Sequence, residues 1–274
     1  MRAGVILPGG SAVEQLEQAA LAEQSGWDGV FVWEAAYGVD AWTLLGAMAA
    51  RTERIRLGTL LTPLPWRRPW KVASQVATLD QLSNGRAILT VGLGAIMGDL
   101  PQTGEEEDLR RRADLLDEGI ELIRELLAGR GTHGGPNYRF EPGADDQMEV
   151  ARPVQDPVPI WVVGVWPRPK SMRRVLACDG IVPQFDGEGS PEAVKAMRVW
   201  LTKHGARPDI DVTAEGETPG DDPDEAAAIV RPWADAGCTW WLETEWELPH
   251  HVPERMEQIR KRIAAGPPVF SPGP

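Results

Sequence analysis

The chain has 274 residues, 42% hydrophobic and 25% charged, which is enough to bury a full core without disulfides or metals. Its formal net charge of −13 argues against nucleic acid or an anionic membrane surface as partner, because both select a basic footprint. Cys178 and Cys238, with no CxxC spacing, read as buried reduced thiols. No run is long enough for a signal-peptide core or a membrane span, so a cytoplasmic location is expected.

Strand and helix patterns then alternate along the chain. "AGVILP" (3–8) is the first strand, and Ser11 with Glu14 forms a capping box for a helix over 12–25. That helix is expected to turn Val13, Leu16 and Ala20 to the core and to stop at Gly26. "GVFVWE" (29–34) precedes a helix from Asp40 to Thr52. "IRLGTLLTP" (55–63) precedes one over 68–83, with Leu79 and Leu82 facing the barrel and Asn84–Gly85 as a left-handed stop. The fourth strand is "ILTVGLG" (88–94). Helix four, 105–128, carries Leu109, Ala113, Leu116, Ile120, Ile123 and Leu127 at steps of three and four, leaving Arg110–Arg112 exposed.

Residues 129–158, rich in Gly, Pro and Asp, read as a long excursion with a short hairpin. Four further units follow. Their strands are 160–164, 180–185, 210–217 and 239–246, and their helices 169–178, 191–204, 223–236 and 252–264. Eight βα units predict a (β/α)8 TIM barrel with a long insertion between helix 4 and strand 5. One domain over 1–266 and a tail over 267–274 are expected. A doubly wound sheet is the rival, but no strand carries a true glycine fingerprint. Gly92, Gly94 and Gly98 miss its spacing, and no helix starts at once behind them.

In such barrels chemistry sits where strands end. Those ends hold Pro8, Glu34, Thr62–Pro65, Gly92–Ala95, Gly164–Arg168, Gln184–Phe185, Glu215–Glu217 and Glu243–Trp246. The set is apolar and aromatic, with few nucleophiles. A metal site would draw on Glu34, Glu217, Glu243, Glu245 and the pair His250–His251, yet HxH and HExxH are absent, and no metal is assigned. No GxSxG elbow is present. Arg168 and Lys170 bring positive charge to a helix start after strand five.

The block "RIRLGTLLTPLPWRRPWKVASQVATLDQLSNGRAILTVGLG" (54–94) resembles the bacterial-luciferase-like flavin-dependent oxidoreductases. "AEQSGWDGVFVWE" (22–34), "PIWVVGVWPRPKSMRRVLACDG" (159–180) and "TWWLE" (239–243) agree in order. The resemblance implies a barrel that binds FMN or deazaflavin (coenzyme F-420) at its C-terminal face and acts on a small molecule by hydride transfer or oxygen activation. It implies a cis peptide between Leu60 and Leu61. It also implies cofactor contacts from Leu60, Leu61, Thr62, Gly92, Gly94, Gly164, Val165, Trp166 and Arg168. Glu34 and Glu243 stand as candidate acids or bases. Ala35 and Ala36 occupy the place where members often carry a catalytic histidine, and Leu93 that of a phosphate-reaching arginine; the latter tilts the expectation to deazaflavin. A homodimer is the assembly to test. The alternatives are a barrel that binds a flavin-like ligand without turnover and a metal-dependent TIM-barrel hydrolase.

Overall fold

A computed structural model describes residues 1–35, 37–94, 104–142, 151–244 and 253–269. Its parallel strands are β1 (Arg2–Ile6), β2 (Gly29–Val32), β3 (Arg56–Thr59), β4 (Ala87–Gly92), β5 (Ile160–Trp166), β6 (Gly180–Phe185), β7 (Asp211–Gly216) and β8 (Trp240–Glu243). They pair in the order 3-2-1-8-7-6-5-4, and β3 pairs back onto β4, which closes the barrel. Beyond Thr59, residues Thr62–Pro63 resume pairing with β4.

The helices are α1 (Ala12–Gln24), α2 (Ala41–Arg51), α3 (Pro69–Leu82), α4 (Leu109–Leu127), α5 (Pro169–Val175), α6 (Pro191–Lys203), α7 (Pro223–Asp235) and α8 (Pro253–Ala264). Side-chain caps set many of their starts. Ser11 and Glu14 form the expected box, and Asp40, Asp108, Ser190 and Asp222 each accept a backbone N–H of the first turn. Asn84 (φ 55°) and Gly85 (φ 83°) end α3 in the left-handed region.

Strand alternation divides the core in two. Residues such as Val30, Leu57, Leu89, Val162 and Val212 face the helices. Ile6, Phe31, Leu60, Ile88, Trp161, Val182, Trp240 and Leu242 fill the lumen. There Phe31 stacks on Trp161 at 5.4 Å between centroids, and Trp240 meets both rings edge-on at 6.0 and 5.3 Å. Gly180 makes room for this plug, since a Cβ there would lie 2.3 Å from the Trp161 ring.

Two pins hold the opposite, N-terminal face. Buried Asp80 accepts the N–H groups of Ala87, Val154 and Gln155 and the Gln155 amide. Buried Arg86 donates to carbonyls of Ala49, Thr52, Ile55 and Ser83 and to the Thr52 hydroxyl. The LDQLSNGR segment is thus structural.

Three expectations about helix faces need correction. In α1 the buried residues are Gln15, Gln18, Ala19 and Ala22, and Val13 is exposed. Small side chains let α1 lie close to the sheet, and Gln15 donates to the Gly10 carbonyl. Leu82 is exposed at the end of α3, whereas Leu79 is buried. In α4 the inward stripe is Arg112, Leu116, Gly119, Ile120, Ile123 and Leu126, so Leu109 is exposed and Arg112 is fully buried. The excursion holds a small hairpin pairing His133–Gly134 with Arg139–Phe140. Cys178 and Cys238 are buried free thiols, both pushed up to about 12 by burial.

Candidate active site at the barrel mouth

Above the plug, the inward positions are Trp33 beyond β2, Val163 on β5, Gln184 on β6 and Glu215 on β7. The parity follows from their neighbours: Trp33 and Val163 pack on the lumen cluster, while Ile181, Val212 and Ala214 face the helices. The Leu60–Leu61 peptide is cis, as the resemblance implies. Leu60 belongs to the lumen cluster, and Leu61 stands over Gly92, whose added Cβ would meet it at 2.9 Å. A Cβ on Gly94 (φ 79°) would meet Pro63 at 2.7 Å, with Arg112 and Trp66 next. The room at both glycines is thus taken by neighbouring side chains.

The two candidate acids are committed elsewhere. Glu34 Oε2 accepts the Thr62 hydroxyl (2.5 Å) and the Trp42 indole N–H (3.0 Å), and its Oε1 pairs with Arg67. Arg67 in turn donates to Gln75 at 2.8 Å, so this network ties the end of β2 to α2 and α3. Thr62 therefore serves Glu34. Glu243 is turned outward, toward α8. It accepts the Thr218 N–H (2.6 Å) and hydroxyl (2.7 Å), the Trp241 indole N–H (3.0 Å) and Arg262 at 3.2 Å on each oxygen. Each oxygen of both carboxylates is held by at least one internal hydrogen bond or ion pair.

At the end of β5, Gly164 abuts the helix layer, since a Cβ there would meet Ile181 at 2.7 Å and Val175 at 2.9 Å. Its missing side chain seats α5 rather than a ligand. The Val165 N–H donates to Ser171 Oγ at 2.9 Å. Trp166 turns outward, edge-on to Trp200 at 6.2 Å. Arg168 makes a two-pronged pair with Asp186, 2.9 and 2.6 Å, exposed on both sides; that hydrogen bond lowers the Asp186 carboxyl and raises the guanidinium. Ala36, Ala95, Gly98, Glu245, Trp246 and the pair His250–His251 lie outside the described residues. Among the described residues, no three His, Cys, Asp or Glu side chains gather closely enough to hold a metal ion.

Two residues escape sequence reasoning. Glu215 stands at a strand end, where its residue type alone gives it no role. The alternation of Val212 and Ala214 against Thr213 and Glu215 is the signal that turns it inward. Arg112 reads as a solvent-facing residue because arginine is rarely fully buried, although it stands four residues before Leu116 on the helix's inward stripe.

A closed barrel of eight parallel strands with helices outside is the TIM-barrel architecture, whose sites lie at the strands' C-terminal ends. The chain belongs to the luciferase-like monooxygenase family, whose model matches residues 2–266. A Mycobacterium tuberculosis relative named as a putative coenzyme F420-dependent oxidoreductase is 32% identical over 204 residues, 70% of this chain. The match spans 56% of that relative's length. An F420-dependent glucose-6-phosphate dehydrogenase of Microbacterium testaceum is 30% identical over 267 residues, covering 91% of this chain and 76% of the relative. Among solved structures, monooxygenase RslO1 from Streptomyces bottropensis superimposes with a TM-score of 0.77 at 22% identity, covering 96% of this chain and 98% of that one. The oxygenating constituent of 3,6-diketocamphane monooxygenase from Pseudomonas putida, in complex with FMN, gives 0.64 at 23% identity, covering 84% and 70%. Coenzyme F420 and FMN are thus the cofactors found among these relatives.

Proposed function

We propose that this chain is an oxidoreductase that binds deazaflavin or FMN at the barrel mouth and exchanges hydride with a small organic substrate. The observation that carries this reading is the commitment of Glu34 and Glu243 to internal ion pairs. With those acids spent, a mouth walled by Trp33, Leu61 and Val163 offers a flat apolar ring a surface, and the electron-transfer chemistry falls to the cofactor. On the β3–β4 side Leu60 and Leu61 form the wall, Thr62 braces it through Glu34, and Gly92 and Gly94 let Leu61 and Pro63 close in. At the β5 end Gly164 and Val165 seat α5 and Trp166 packs outward, so Arg168 is the group there that would meet a ligand, exchanging Asp186 for its anion.

The protein's own part is to exclude water, orient the substrate and move a proton. Glu215 is the inward acid that would hold or release the substrate's hydroxyl proton. Titration with FMN and with coenzyme F420, followed by absorbance and fluorescence, tests the reading; micromolar binding of neither would sink it. Binding without turnover on a panel of alcohols and aldehydes would favour the ligand-binding barrel instead. Glu215→Gln is expected to lower turnover by roughly 100-fold or more while leaving cofactor affinity within about twofold. Unchanged turnover would remove Glu215 from the chemistry.

A further inference from the structure

Donors without acceptors gather at the corner where β4 ends. Arg112, in the first turn of α4, is fully buried. Its Nη2 donates to the carbonyls of Leu93 and Gly94, the latter at 2.9 Å. Among the described residues its Nε and Nη1, equally buried, meet no acceptor, and the same holds for the buried indole Nε1 of Trp66. The two side chains meet there. The guanidinium carbon lies 5.4 Å from the Trp66 ring centroid, and a Cβ on Gly94 would stand 3.0 Å from Arg112 Nη2 and 3.2 Å from Trp66 Cζ2.

The molecule treats its other buried guanidiniums differently. Arg86 finds an oxygen for each nitrogen, and Arg262 pairs with Glu243, Thr218 and the Gly266 carbonyl. Among the described residues Arg112 makes no ion pair. Burial pulls its pKa down, and Glu106 opposes this only through its charge. A residue needed only to pin two carbonyls would not have to bury two further N–H groups, and unpaired buried donors cost stability. Arg112 and Trp66 offer donors alone, the complement of an oxyanion.

We propose that Arg112 and Trp66 form an anion subsite at the β4 corner of the mouth, which takes a phosphate or carboxylate group of a ligand bound there. Where the anion is the cofactor's, this rests on the flavin-type reading above. Where it belongs to the substrate, it does not.

The test compares wild type with Arg112→Met, Arg112→Lys and Trp66→Phe. Affinities for FMN and phosphate-free riboflavin are measured by fluorescence, as are those for coenzyme F420 and its phosphate-free deazaflavin core. Melting temperature is read with and without inorganic phosphate at fixed ionic strength. The expected result is a wild-type preference of at least about tenfold for the phosphorylated form. It should fall toward one in Arg112→Met and severalfold in Trp66→Phe, with phosphate-free binding unchanged. If the preference survives but phosphate raises the melting temperature of wild type and not of Arg112→Met, the subsite stands and serves a substrate anion. If wild type binds no flavin yet shows that phosphate effect, the cofactor reading fails and the subsite stands. Equal losses for both ligand forms, or no phosphate dependence in wild type by either readout, would overturn the proposal. Should Arg112→Met not fold, Arg112→Lys and Trp66→Phe decide between the same outcomes.

Discussion

At the scale of single residues, the two candidate acids differ in what their removal would expose. Glu243 and Arg262 are both almost fully enclosed, with side chains 5% and 9% accessible. Glu243→Gln leaves a buried cation facing a neutral amide, and a loss of about 3 kcal/mol is expected in urea unfolding. Arg67 keeps 27% of its surface in water, so Glu34→Gln should cost less, about 1 kcal/mol. Neither change should alter cofactor affinity by more than about twofold; a tenfold loss would return the residue to the binding site. Arg168→Ala should weaken binding of a phosphorylated cofactor by about tenfold if Arg168 releases Asp186 to meet it, and fluorescence titration would show no change if it does not. Residue types at strand ends were legible in the sequence, but the directions of Glu34 and Glu243 were not. Those directions depend on partners such as Arg67, Thr218 and Arg262, up to 33 residues away.

At the scale of elements, the hairpin after α4 is fastened by a histidine between two acids. His133 Nδ1 lies 2.9 Å from Glu125 and Nε2 3.2 Å from Glu118. Glu118 also accepts the N–H groups of Asn137 and Tyr138. Burial alone would lower the His133 pKa; the hydrogen bonds and charges of Glu125 and Glu118 outweigh it and raise the value above 6.5. Because the folded value is the higher one, the stabilisation is fully present below about 6.5 and is lost as pH rises through the folded pKa. Burial likewise opposes Glu118, whose pKa falls because the Tyr138 N–H, His133 and Asn137 outweigh it; its share is lost as pH falls through that lowered value. Unfolding free energy should therefore decline as pH rises above about 6.5 in wild type and flatten in His133→Gln. Parallel curves would show that the latch contributes nothing. The hairpin itself was legible from composition, but its docking was not, since nothing local marks Glu118 and Glu125 as partners of His133. The stripe of α4 shows a different limit: its leucines gave the helix, and Arg112 stands on their stripe four residues before Leu116, hidden by its residue type rather than by its position.

At the scale of the whole molecule, the order and number of βα units were legible because each strand and helix keeps its own period. The closure was not local, since it depends on β3 reaching β4 and on the lumen being filled. Gly180→Ala should be poorly tolerated, costing about 2 kcal/mol or more as a shift of the thermal midpoint, because Trp161 occupies the space a methyl group would need. A silent substitution would mean that the ring can swing aside. The same plug has a kinetic corollary. Among the described residues, Phe31, Trp161 and Trp240 fill the barrel from below and leave the mouth as its open end. If cofactor and substrate share that mouth with the cofactor seated deeper, the substrate gains its full surface only once the cofactor is in place. Steady-state kinetics should accordingly be ordered, with the deeper guest required before the shallower one gains a surface to rest on.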